Sequence, residues 1–143
     1  MEDLPEELLQ HGILPYLEIN ELCQFRRISS NCNQSVISYL GRLKILNISK
    51  VKDLIDEDGL GAIISYLKEL KYCDLSLCWR ASTVINLKIL ANRCSKLEIL
   101  KLKRCKYVTD EVILNLADRC KNITHLDVGG CWSVSVYITD FDT

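Results

Sequence analysis

Proline and glycine are scarce in the sequence, at 2 and 6 of 143 residues, and histidine occurs only twice. So few breakers exclude a collagen-like or linker-like chain. With 48% hydrophobic and 26% charged residues, the composition indicates a folded domain. No apolar run approaches the roughly 20 residues of a membrane span, so no membrane partner is expected. The net charge of −1 leaves no electrostatic footprint for a nucleic acid. The acidic start (Glu2, Asp3, Glu6, Glu7) lacks the basic patch and apolar core of a signal peptide. Eight cysteines without such a signal point to a reducing compartment, so the expected location is cytoplasm or nucleus.

Catalytic signatures are missing as well. No G-x-S-x-G, phosphate-cradling glycine loop or H-E-x-x-H is present. There is no C-x-x-C pair, and the tightest cysteine spacing is Cys73 to Cys78. His125, Asp127 and Cys131 are close in sequence, but no nucleophile–base geometry follows from their positions. The expectation is a protein that is not an enzyme and carries no metal or cofactor.

What the chain does contain is an internal division and a repeat. Residues 1–40 carry a charge of −4 and residues 41–143 a charge of +3, and helix-like spacing gives way to short strand-like runs at the same place. Leu43, Leu46, Ile48 and Val51 recur as Leu70, Cys73, Leu75 and Cys78, then as Leu97, Leu100, Leu102 and Cys105, and finally as Ile123, Leu126, Val128 and Cys131. The copies start 27, 27 and 26 residues apart. A second register agrees: Leu90, Ala91, Arg93 and Cys94 return as Leu116, Ala117, Arg119 and Cys120, 26 residues on.

Each copy reads L-x-x-L-x-L-x-x-C followed by a helix-like segment, which resembles the cysteine-containing subclass of leucine-rich repeat. The fold class implied is α/β: a short solenoid of about four repeats, with a parallel sheet on the concave side and helices on the convex side. One repeat cannot bury its apolar face alone, so stacking supplies the core. Alternation along each strand turns Leu46/Ile48, Cys73/Leu75, Leu100/Leu102 and Leu126/Val128 inward. Ile63/Ile64, Ile85/Ile89/Leu90 and Val112/Ile113/Leu116 are expected to close the core from the helices, with Asp110 as a helix cap. Cysteines at repeat positions are expected in the core as small hydrophobes.

The outward strand positions form rows: Ile45/Tyr72/Ile99/His125, Asn47/Asp74/Lys101/Asp127 and Ser49/Ser76/Lys103/Gly129. Asp74, Lys101 and Asp127 should alternate in sign along one row. Such a row is either a solvated ladder worth little or part of a concave binding face for a protein substrate. The second reading takes Ile45, Tyr72, Asp74, Ile99, Lys101, Lys103, His125 and Asp127 as its contacts.

Residues 4–36 open with Leu4, Pro5, Glu6, Glu7, Leu8 and Leu9. Ile13, Leu14, Tyr16 and Leu17 follow, and then an apolar stripe of Leu22, Phe25 and Ile28 ending at Ser29. Pro5 with its following acids is an N-terminal helix signal. The whole is similar to an F-box, a helical module that docks on the Skp-type adaptor of a cullin ubiquitin ligase. The resemblance implies that Leu4, Pro5, Leu8, Ile13, Leu17, Leu22, Ile28 and Ser29 contact that adaptor or support the contact. An F-box-like head over residues 1–40 followed by leucine-rich repeats over 41–143, the last incomplete, is the layout of F-box/leucine-rich-repeat substrate receptors. The alternative is a head that only caps the first repeat within a structural subunit of a large assembly. After Trp132 the repeat pattern stops short of a helix, so the expectation is either a chain shortened relative to its relatives or a partner covering that end.

Overall fold

The computed structural model describes residues 30–49, 52–53 and 55–135. Helix α1 (Ser30–Leu40) leads into strand β1 (Ile45–Asn47), and three helix–strand units follow. These are α2 (Glu57–Ile64) with β2 (Tyr72–Asp74), α3 (Val84–Arg93) with β3 (Ile99–Lys101), and α4 (Asp110–Arg119) with β4 (His125–Asp127). The four strands form one parallel sheet in chain order, β1-β2-β3-β4. Ile45 pairs with Tyr72, Tyr72 with Ile99, and Ile99 with His125, so the register is the one the repeat spacing predicts.

Each strand is only three residues long, yet the ladder runs on past it. Leu77 N–H donates to the Lys103 carbonyl and Arg104 N–H to the Gly129 carbonyl. Leu46, Ile48, Cys73, Leu75, Leu100 and Leu102 are buried as expected. Leu126 and Val128 are only partly covered, because β4 has a strand neighbour on one side alone. Val36 and Leu40 of α1 belong to the same core as the repeats.

The helices enter through side-chain caps. Asp56 accepts from Gly59 N–H, Thr83 from Asn86 N–H and Thr109 from Val112 N–H, each satisfying an amide with no partner in its own helix. Thr109, not Asp110, therefore caps α4. Asp110 lies one residue inside, where its Oδ1 accepts from Ser135 N–H at 2.8 Å and its charge suits the positive end of the helix.

The expectation for Ile85 is also corrected, since it is 64% exposed. In α3 the buried apolar set is Leu87, Leu90 and Ala91, spaced i, i+3, i+4, which turns Ile85 away. Ile89 is partly buried, whereas Ile63, Ile64, Val112, Ile113 and Leu116 are fully in the core.

Five of the six described thiols stack in two columns. Cys78, Cys105 and Cys131 donate to the carbonyls of Ile48, Leu75 and Leu102 at 3.5, 3.2 and 3.0 Å. In each case the acceptor belongs to the preceding repeat. Cys94 donates to Leu67 O at 3.1 Å and Cys120 to Cys94 O at 3.5 Å. Cys73, buried between strands, completes the set, and all six are free. The thiol therefore packs like a small hydrophobe and also joins neighbouring repeats through a weak donor.

Candidate interaction surface

The sheet face turned away from the helices is built by the outward positions of β1–β4. Its first row holds Ile45 (64% exposed), half-buried Tyr72 and Ile99, and exposed His125. This apolar row is contiguous because the strands pair in register about 4.8 Å apart. His125 ends the row, its Nδ1 sharing a hydrogen bond of 3.0 Å with the Thr124 hydroxyl.

The second row carries the charges, and here the structure differs from a simple ion ladder. Asn47 Oδ1 accepts from Ser49 N–H, Asp74 Oδ1 from Ser76 N–H at 3.0 Å, and Asp127 Oδ1 from Gly129 N–H at 2.9 Å. In three of the four repeats the side chain therefore closes a local turn at the strand exit, as Asn and Asp do well. Lys101 takes the equivalent place in the third repeat and cannot accept. Its ammonium instead lies 5.4 Å from the centre of the Tyr72 ring.

The Tyr72 hydroxyl, as hydrogen-bond acceptor, holds the Lys101 pKa above its ordinary value, with Asp74 and Asp127 adding attraction. No ion pair within 4.0 Å joins Lys101 to either acid among the described residues. Lys103, in the third row, is exposed.

All eight residues expected on this face are thus on it, in the expected rows. The carboxylates of Asp74 and Asp127 are partly engaged by backbone amides. Tyr72, Ile99 and Lys101 form its centre, an apolar patch with one cation held over an aromatic ring. The head residues Leu4, Pro5, Leu8, Ile13, Leu17, Leu22, Ile28 and Ser29 lie outside the described residues.

The thiols do not face this surface. Burial pushes Cys73 well above the ordinary thiol range, Cys78 and Cys94 up to about 12 and Cys105 to about 11. Burial also raises Cys120 and Cys131. Cys131 donates inward to Leu102 O, away from His125 and Asp127 on the open face. Among the described residues, no group of three or more His, Cys, Asp or Glu is placed to hold a metal ion. Nor is any helix among them long and apolar enough to cross a membrane.

Two features escaped the sequence reading. One is Asn86, buried on α3, whose Nδ2 donates to Ala81 O at 2.7 Å and to Glu57 O at 2.8 Å. The other is the pair Trp79 and Trp132, each following a repeat cysteine. That shared position was the available signal.

No family model matches the chain. Over 98 residues it is 30% identical to F-box/LRR-repeat protein 4 of Bos taurus, a match that covers 68% of this chain and 16% of that protein. The chain thus spans less than a fifth of the length of this curated relative. Among solved structures it is similar to the tropomodulin C-terminal domain of Caenorhabditis elegans. The TM-score is 0.54 at 18% identity, covering 68% of this chain and 64% of that one. The structural likeness shows the fold, and the sequence relation is of the leucine-rich-repeat type.

Proposed function

We propose that the chain is a non-catalytic protein-interaction adaptor, the substrate-recognition subunit of a Skp–cullin–F-box ubiquitin ligase acting in the cytoplasm or nucleus. In this reading residues 1–40 form the helical head, which docks on the Skp-type adaptor through Leu4, Pro5, Leu8, Ile13, Leu17, Leu22, Ile28 and Ser29. Residues 41–143 form the leucine-rich-repeat solenoid, whose concave face takes a protein substrate. The observation that carries it is the order of the two motifs. L-P-x-E-L-L at residues 4–9 precedes repeats whose open face presents Ile45, Tyr72 and Ile99 as one apolar row. The bovine relative joins the words F-box and LRR-repeat in its name, which supports the same pairing.

The test is a pull-down of the full chain with a Skp-type adaptor beside the Leu4→Ala/Pro5→Ala variant. Retention by the native chain and at least about tenfold weaker retention by the variant is expected, since a few buried anchors dominate such interfaces. Equal retention by both, or by neither, would sink the head assignment. A second reading is favoured by the sequence at Gly12 and Pro15, residue types that would interrupt a first head helix, and by Cys32, where the family has a tryptophan. In it the head only caps the repeats of a structural subunit, which would co-purify with a fixed complex and ignore the adaptor.

A further inference from the structure

A different surface carries an inference that does not depend on how the head is used. The loops leaving the strands toward the helices lie side by side, because the ladder continues through Leu77, Lys103, Arg104 and Gly129. The cysteine bonds from Cys78, Cys105 and Cys131 fix their register. Immediately after those cysteines come Trp79-Arg80, Lys106-Tyr107 and Trp132-Ser133. Stacked by position, they make a checkerboard of ring and cation. Trp79 is 53% and Trp132 94% exposed, and Tyr107 is exposed as well. Trp79 and Trp132 are the two tryptophans of the chain.

The charge on this edge is one-sided. Lys52, Arg80, Lys103, Arg104 and Lys106 lie on these loops against one described carboxylate, Asp53. None of the five forms an ion pair among the described residues, and Lys106 rests 5.5 Å from the Tyr107 ring centre. The acids at the nearby helix starts are mostly engaged. Asp56 holds Gly59 N–H, Glu57 accepts from the Thr83 hydroxyl, Asp110 holds Ser135 N–H and Glu111 pairs with Lys88.

The opposite edge, where helices return to strands, is also basic, but two of its cations are paired across neighbouring repeats. Lys96 meets Glu69 at 2.7 Å and Lys71 meets Glu98 at 3.1 Å. The five cations of the tryptophan edge, by contrast, have no carboxylate within 4.0 Å among the described residues.

We propose that this tryptophan–arginine edge is a docking site for an acidic polypeptide segment bearing apolar side chains. Its carboxylates would pair with Arg80, Arg104 and Lys106, and its apolar groups would cover Trp79 and Trp132. Trp, Tyr and Arg are the residues that carry most binding energy at protein interfaces, and arginine forks match carboxylates bidentately. A polypeptide suits the edge better than a nucleic acid. The cations are few and interleaved with rings, too sparse to neutralise a continuous phosphate chain.

The probe is a short fluorescein-labelled peptide of alternating glutamate and leucine, titrated into the full chain, with tryptophan emission as a second readout. Saturable binding with a change in tryptophan emission is expected, together with weakening as salt rises. Arg80→Glu/Lys106→Glu should weaken it by about tenfold or more, whereas Lys121→Glu on the opposite edge should change it by less than about twofold. Circular dichroism checks that each exposed variant is folded.

Absence of saturable binding at low salt, or equal loss in the Lys121→Glu variant, would overturn the proposal. So would tighter binding of an oligouridylate of equal charge at the same residues, which would make the edge a nucleic-acid surface. None of these outcomes bears on adaptor capture by the head, so the two readings fail separately.

Discussion

The Lys101 ammonium sits 5.4 Å from the centre of the Tyr72 ring, one strand away on the open face of the sheet. The tyrosine hydroxyl, more than the flanking acids, holds the lysine pKa up. Tyr72→Phe keeps the ring and removes the acceptor, so the Lys101 pKa should fall toward its ordinary value while the fold is unchanged. An NMR titration of the lysine ε-methylene reads this directly. An unmoved pKa in Tyr72→Phe, with a fall in Asp74→Asn, would reassign the effect to the acids. If the face binds a partner, Ile99→Asp should weaken capture by at least about tenfold by placing an unpaired carboxylate in the apolar row.

The six buried thiols predict an alkaline limit to stability. Burial raises their pKa from the ordinary 9.0 to about 11 at Cys105 and about 12 at Cys78 and Cys94. Below pH 9 both folded and unfolded chains hold these protons, and this contribution to stability is fully present. Above it the unfolded chain releases them first, so stability falls as pH rises toward the folded values. Each thiol contributes up to about 1.4 kcal/mol per pH unit in that window. Urea midpoints at about pH 8 and about pH 10 should show the drop, with a smaller drop in Cys94→Ala. Peptide mapping after iodoacetamide should find Cys73, Cys78, Cys94, Cys105, Cys120 and Cys131 unmodified until denaturant is added.

The residue before each repeat cysteine adopts a left-handed backbone: Leu77 at φ 64°, Arg104 at φ 56° and Gly130 at φ 73°. A side chain there costs about 1–2 kcal/mol, and only the last copy avoids it with glycine. Leu77→Gly should therefore stabilise by up to about 1 kcal/mol, part of the gain being offset by the freer unfolded chain. Gly130→Ala should destabilise by about 1–2 kcal/mol, because its methyl would also lie 2.9 Å from Arg104 Cγ. Thermal unfolding of the two variants in opposite directions is the check, and a shift of the same sign in both would refute the strain account.

The sheet was legible because its signal is redundant. Leu46, Cys73, Leu100 and Leu126 recur with one period, and a single slip would expose all of them at once. The helices were less legible, since their phase depends on where each begins. Thr83 follows Cys78 by five residues but Thr109 follows Cys105 by four, and that one-residue difference shifts what faces inward. Ile85 was misjudged for this reason, and Asp110 because two adjacent residues could both cap. The dual use of Asp74 and Asp127 was hidden for another reason. A carboxylate in a row of charges looks like an ion-pair partner until the Ser76 and Gly129 amides are seen to occupy it. The Tyr72–Lys101 contact needed side-chain conformations that spacing does not supply.

Asn86 and Gly61 make the final case, one that sequence propensity gets wrong. Gly61 lies within α2, where alanine would ordinarily gain about 1 kcal/mol. A methyl at Gly61 would fall 2.8 Å from Asn86 Oδ1, closer than van der Waals contact allows. The Asn86 side chain cannot swing aside freely, because its Nδ2 is bound to both Glu57 O and Ala81 O. Gly61→Ala should therefore destabilise by about 1–3 kcal/mol, the cost of freeing buried polar groups. Asn86→Ala should cost a similar amount by leaving the Ala81 carbonyl without that donor. The double variant should be less destabilised than the sum, since the alanine at 86 makes room for the methyl at 61. Urea denaturation of the four proteins gives the coupling, and strict additivity would mean that the two residues do not constrain each other.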